Sequence, residues 1–454
     1  MNPSAWHASE AIASQLALVG LSLAALLAGI HWYGFLAAMG LVVVASLIDY
    51  RTSWRRLHRA PLFWLSLALT VYILIQTPFA VREFPELDRN SYPDWTDLLA
   101  ISGLLSMIAG DWLRRFPSLY PRLLGLTGLG IAIGLAAGIQ WGNLLTSGMG
   151  VRRDWGYLPE EVGLLSAMGF LACVVLFLRY LANRSYPNTR RALHALPWFV
   201  AALAFAVVLY GSQTRATWIA AGVLALLYVT WHLGNALRHR QSLRSGIAAL
   251  CVLAIGITAL VQLDGGERLE RRLGGVQDTV SALLILDREG VHRSNPSLGE
   301  RLNMWTEAIR AFTQRPIRGW GIGAKVVTDS QAQLFVGWRQ PQYHNLYLEF
   351  LLGLGLIGLG LFLAIWALLV RPLITLSATA RKRAADTGPP PPSRTILALC
   401  TALTAFAVMF ELQVGNPSSR AMVMWLMALL AGLALSSRAA PPNHPEPEPD
   451  KAKS

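Results

Sequence analysis

The stretch from His344 to Val370, HNLYLEFLLGLGLIGLGLFLAIWALLV, is apolar or aromatic from Leu346 onward apart from Glu349, and it contains no lysine or arginine. Its 27 residues exceed the roughly 20 that a helix needs to cross a hydrocarbon core about 30 Å thick. A water-soluble helix of this length would carry a polar stripe. This one carries Gly353, Gly355, Gly358 and Gly360 instead, small residues that let helices pack closely in a membrane. It reads as a spanning helix entered through the polar and aromatic segment Tyr343, His344 and Asn345.

The rest of the chain repeats the pattern. Of its 454 residues, 54% are hydrophobic and 14% charged, with a mean hydropathy of +0.43, which excludes a water-soluble domain with a polar shell. Eleven further apolar blocks, at about 11–28, 33–48, 62–76, 96–110, 122–139, 161–180, 195–210, 216–233, 245–261, 394–413 and 421–436, bring the expected count to 12 transmembrane helices. The fold class is an all-α polytopic membrane protein.

Arginine and lysine concentrate in alternate connections, 22 in one set against six in the short loops of the other. Short basic loops stay on the cytoplasmic side, so both termini are expected there. This divides the chain into nine spanning helices over 1–261, one large periplasmic loop over 262–343, three more helices over 344–436 and a disordered cytoplasmic tail over 437–454. The tail is rich in proline and charge. No cleavable leader is read at the start. The net charge of +13 is accounted for by inner-face loops meeting anionic membrane lipids, so a nucleic-acid partner is not expected. Cys173, Cys251 and Cys400 fall within separate apolar blocks, a distribution that supports neither a disulfide framework nor a zinc site.

Within the long loop, Leu269, Leu273, Val276, Val280 and Leu283 recur at helical spacing, as do Leu302, Trp305, Ile309 and Phe312. Two amphipathic helices lying along the membrane surface are expected, separated at Asn295-Pro296. Pro316 ends the second, and RGWGIGAK follows as a flexible loop that lacks the residues of a phosphate-binding Walker motif. Arg215, in YGSQTRATW, falls in a very short outer connection. An arginine at the membrane boundary has two readings: it snorkels to lipid headgroups, or it meets an anionic ligand. His344 alone would be an interfacial residue, yet it stands between Tyr343 and Asn345 at a helix mouth and can take up a proton near neutral pH.

These residues carry a resemblance. His344-Asn345, nine residues, Gly355, two residues and Gly358 match the motif of O-antigen ligases. GSQTRATW resembles the short outer arginine segment of that superfamily, and GERLNMWTEAIRAFTQRPIRGWGIG is similar to its arginine, tryptophan and Pro-x-x-Gly-x-Gly loop. The resemblance implies a GT-C-like glycosyltransferase in the bacterial inner membrane, in the lipopolysaccharide pathway. Its donor would be undecaprenyl diphosphate-linked O-antigen and its acceptor lipid A-core, with the site on the periplasmic face. No motif of the first half of the chain is matched.

That chemistry needs a group to take the acceptor's proton and positive charge to stabilise the departing diphosphate. The catalytic candidates are His344, Arg215 and Arg301. Arg301 has a plain alternative as an exposed charge pairing with Glu300 or Glu307. Arg288, Arg152 and Arg153 are further candidates for binding the diphosphate, with Tyr343 and Asn345 beside His344. No Asp-x-Asp pair or acidic cluster is found on the outer face, so neither a metal nor another cofactor is expected, and arginine would take the metal's part. Three alternatives remain: an O-antigen polymerase or protein O-oligosaccharyltransferase using the same donor, a twelve-helix transporter or flippase, and a structural scaffold. A transporter should show broken, polar helices at midplane.

Overall fold

The computed structural model describes residues 3–83, 102–138, 159–182, 187–212, 214–238, 281, 287–321, 343, 345–387, 399–405, 407 and 420–436. Among them there is no strand. The apolar blocks at 33–48, 62–76, 122–139, 161–180, 195–210 and 216–233 each fall on a helix. These are α2 (Trp32–Ile48), α4 (Pro61–Glu83), α6 (Tyr120–Gly138), α7 (Pro159–Ala182), α8 (Asn188–Gly211) and α9 (Arg215–Arg238), preceded by α1 (Pro3–Leu27). A surface helix, α3 (Tyr50–Leu57), and a short one, α5 (Leu104–Arg115), stand on either side of α4 in the chain. Then come α10 (Arg288–Ser294), α11 (Pro296–Gln314), α12 (Leu346–Thr387) and α13 (Arg420–Ser436). Among the described residues six helices are long and apolar enough to cross a membrane, or seven if α2 and α3 count as one bent span. The block at 245–261, the row from Leu269 to Leu283 and the tail lie outside the described residues.

The packing explains which helices are lipid-facing. The short helix α13 is buried nearly all round, from Ala421 to Leu435, and forms the centre. Its polar attachments are few and internal: Ser106 donates to the Met424 carbonyl, Tyr120 to the Leu429 carbonyl, and Trp425 Nε1 to Thr127 Oγ1 at 2.8 Å. Outward residues such as Leu47, Phe79, Leu129, Leu193 and Leu227 are large, apolar and exposed, as a lipid-facing surface requires. Gly130 and Gly134 of α6 let α1 approach so closely that a Cβ at either would collide with the carbonyl of Leu26 or Gly29. This is the small-residue packing expected of membrane helices.

Two expectations need correction. The amphipathic row on α11 is offset. Met304, Ala308 and Ala311 are buried, with Trp305 and Phe312 beside them, whereas Ile309 is exposed. Met304 and the two alanines make the buried contact, Trp305 and Phe312 flank it, and only Ile309 of the expected row is turned outward. Within α12, Gly355 does not serve helix packing. It breaks the helix, with φ 65° and ψ −165°, in the left-handed half of conformational space where a side chain is strained.

Candidate functional site

The break in α12 decides the local architecture. Interrupting a helix inside an apolar span frees backbone groups that have no water to turn to, each costing several kcal/mol if left unpaired (~2–7). Residues 316–321, which follow α11, supply the partners. Trp320 N–H donates to the Leu352 carbonyl at 2.9 Å and Gly321 N–H to the Gly353 carbonyl at 2.8 Å. In return Leu356 N–H donates to the Pro316 carbonyl at 2.9 Å and Ile357 N–H to that of Ile317 at 3.4 Å. The Leu354 carbonyl accepts from Tyr72 Oη on α4 at 3.0 Å. Gly319, φ 71°, lies against Gly355: a Cβ on Gly319 would stand 2.6 Å from the Gly355 nitrogen and from the Leu352 and Gly353 carbonyl oxygens.

The expected flexible loop is therefore ordered over Pro316 to Gly321, while its continuation lies outside the described residues. The two sequence motifs, Pro-x-x-Gly-x-Gly and the glycines that follow His344-Asn345, are two halves of one joint. The break also bears on the transporter reading, which called for a broken helix. In a transporter the freed groups would face the cargo; here they are bonded to residues 316–321 and to Tyr72.

About three turns before the break, α11 holds the entry to α12. Tyr343 is buried, and its carbonyl accepts from Trp305 Nε1 at 2.9 Å while its N–H donates to the Glu349 carboxylate. Asn345 is the helix cap, its Oδ1 accepting from the N–H groups of Tyr347 and Leu348 at 3.1 and 3.2 Å. So both neighbours of His344 are fixed, Tyr343 through its main chain and Asn345 through its side chain. His344 itself lies outside the described residues, as do Arg152 and Arg153. Tyr343 and Asn345, expected beside the substrate, thus hold this entry segment in place.

Arg301 lies on α11 one helical turn before Trp305 and is half-buried. The spacing puts it on the same face as the residue that holds Tyr343. Glu307, one of its suggested partners, is paired with Arg310 at 3.1 Å. Arg288 opens α10, which packs on α11. Arg215 opens α9 directly after a tight turn from α8, and the packing that positions it is with α7 and α8. That turn is pinned by Trp218, whose indole N–H donates to the Leu209 carbonyl at 2.6 Å and whose ring stacks on Tyr210. Gly163 of α7 admits the Ser212 and Thr217 hydroxyls, which a Cβ there would meet at 3.2 and 2.8 Å.

Sequence reasoning missed five participants: Tyr72, Glu349, and Glu83 with its partners Arg315 and Arg318. Glu83, at the end of α4, is 2.5 Å from Arg315 and 3.8 Å from Arg318, and Arg315 also lies over the Trp320 ring at 4.2 Å. The hydrogen bond from Arg315 holds the Glu83 carboxyl below the usual carboxylate range. A tyrosine and a glutamine four residues apart in the apolar run of α4 were the available signal for Tyr72. Among the described residues no three His, Cys, Asp or Glu side chains gather as a metal site.

Residues 199–363 match the family model described as O-antigen ligase. The match runs from within α8 through α9, α10 and α11 into α12, past the break at Gly355. The resemblance carried by the motifs holds over that stretch and supports an O-antigen ligase- or polymerase-type membrane enzyme. No curated protein matches the chain.

Proposed function

We propose that the chain is an O-antigen ligase, transferring O-antigen polysaccharide from undecaprenyl diphosphate to lipid A-core oligosaccharide at the periplasmic face of the bacterial inner membrane. One observation carries the reading: the two separate motifs of the matched stretch meet at the α12 joint, which holds Arg301 and the flanks of His344 on one unit.

In this reaction the acceptor hydroxyl attacks the anomeric carbon, the bond from that carbon to the diphosphate oxygen breaks, and the hydroxyl proton passes to His344 as general base. Arg215 and Arg301 bind the departing diphosphate. Their planar forks make charge-assisted hydrogen bonds to its oxygens and stay charged throughout. Arg288, Arg152 and Arg153 are secondary contacts for the same anion. The lipid diphosphate already carries the driving force, so no ATP enters.

The test is transfer by the purified protein, with a glycan on undecaprenyl diphosphate and, in separate reactions, lipid A-core, a second donor molecule or an acceptor protein. Product with lipid A-core, in EDTA and without ATP, is expected. Product only with the second donor makes the chain a polymerase, and product only with protein makes it an oligosaccharyltransferase. His344→Ala should abolish transfer and leave donor binding intact. Arg215→Ala and Arg301→Ala should each raise the barrier by about 2.7–4 kcal/mol, the scale of one lost oxyanion donor. Lysine at either position should restore activity only in part.

A further inference from the structure

The matched stretch begins at residue 199, and α4 lies far outside it. Yet one face of α4 is devoted to the joint. Tyr72, Gln76, Ala80 and Glu83 recur at intervals of four, four and three, a single stripe of a helix. Tyr72 Oη donates to the Leu354 carbonyl at 3.0 Å, with the Arg318 carbonyl 3.3 Å away, and accepts from Gln76 Nε2 at 3.1 Å. One turn on, the Ala80 methyl abuts Gly321, where an added Cβ would collide with it. At the end of the stripe Glu83 binds Arg315 and Arg318, the residues on either side of Pro316-Ile317.

We propose that Tyr72 and Glu83 are positioning residues for the transfer site. They clamp residues 315–321 against the break in α12, and through that joint they set Arg301 on α11 and the entry segment at Tyr343 and Asn345. Trp320 and Gly321 satisfy the Leu352 and Gly353 carbonyls, and Leu356 and Ile357 donate in return to Pro316 and Ile317. The Leu354 carbonyl takes its hydrogen bond from α4. Glu83 meanwhile fixes the point where the chain leaves α11. With both ends of the segment held from α4, α11 and α12 cannot slide past each other without breaking a contact with the first half of the chain. Misplacement by about 1 Å can cost on the order of 100-fold in rate even when it arises far from the reacting atoms.

This inference rests on the ligase reading for its kinetic arm and has a second arm that does not. Tyr72→Phe removes only the hydroxyl, and Glu83→Gln keeps the shape and removes the charge. Each should lower kcat by about 10-fold or more while leaving the KM for the lipid-linked donor within about threefold, because the site is displaced and not dismantled. Glu83→Gln combined with Arg315→Gln should be little worse than the poorer single variant, since both break the same pair. In parallel, hydrogen exchange at the Trp320 and Gly321 amides should quicken in both single variants, with the rest of the bundle unchanged.

Wild-type kcat in Tyr72→Phe and Glu83→Gln would overturn the proposal. So would unchanged exchange at Trp320 and Gly321, or a fall in kcat that merely tracks loss of folded protein. If the wild-type protein transfers no glycan to any acceptor, the ligase reading fails, and the exchange measurement still decides whether α4 clamps the joint.

Discussion

A Cβ added at Gly355 would stand 2.7 Å from the Gly319 nitrogen, whereas one added at Gly360 meets nothing within 4 Å. Both are glycines of one apolar run, and although the motif includes Gly355 and not Gly360, it does not say which of them turns the backbone. A glycine that opens space for a neighbour and one that turns the backbone leave the same letter. Alanine separates them. Gly355→Ala should cost about 1–3 kcal/mol from the left-handed backbone alone, before the collision is counted, and should take transfer with it. Gly360→Ala should be neutral or stabilising by up to about 1 kcal/mol. Thermal unfolding in detergent reads both. Glu83 gives a second prediction at this scale. The charged groups facing it are Arg315 and Arg318. Its carboxyl is held below the ordinary range, so what it contributes is complete above that range and is lost as pH falls through the depressed value. The ratio of wild-type to Glu83→Gln activity should therefore be flat from neutral pH through the ordinary carboxylate range and approach one only as pH falls below that range, where the depressed carboxyl takes up its proton. A ratio that changed around neutrality would mean that another group controls the pair.

Between α2 and α3 the chain turns through 98° at Asp49, and the ion cluster there shows how elements are fixed at the edge of the bundle. Arg56 Nε reaches Asp111 at 3.0 and 3.1 Å, and Arg115 reaches Asp49 at 2.8 Å while lying over the Trp112 ring at 3.7 Å. The Asp111 side chain is 2% exposed. Such a cluster is poor evidence of net stability, since desolvation offsets attraction, yet removing one member strands a buried charge. Asp111→Ala should accordingly lower stability by about 3–5 kcal/mol and loosen α3 from α5. Glu307→Ala breaks a pair whose arginine is 68% exposed and should cost under about 1 kcal/mol. Helices were legible here because apolar runs of spanning length are unambiguous. Bends were not. Residues 50–57 read as a basic loop because their arginines count for orientation whichever way they fold. Only the burial of Ser53 and Leu57 on one side shows a helix.

At the scale of the molecule, the packing shows which connections share a side. The arginines of α3 meet those at the end of α5 through Asp49 and Asp111. Leu435, at the end of α13, packs with Leu57, Ala60 and Phe63 at the start of α4. From there α4 crosses to Glu83 and the joint at the far side. Among the described residues, the arginines of α3 and α5 and the end of α13 thus gather opposite the joint. The sequence could place Arg215, Arg301 and His344 on one side by counting, but not the α4 clamp, because a hydrogen bond between Tyr72 and Leu354 spans 282 residues and leaves no local pattern. Packing fixes which segments share a side without fixing which compartment that side faces, and the last prediction addresses it. Basic loops are held in the cytoplasm, so the joint should face the periplasm. Single cysteines replace Gly290 on α10 and Thr387 at the end of α12, in a protein whose Cys173 and Cys400 are buried and whose Cys251 is replaced by serine. A membrane-impermeant thiol reagent added outside spheroplasts should label the first and spare the second until the membrane is opened. Labelling at 387 alone would put the joint in the cytoplasm, away from any periplasmic glycan donor, and the ligase reading would fall with it.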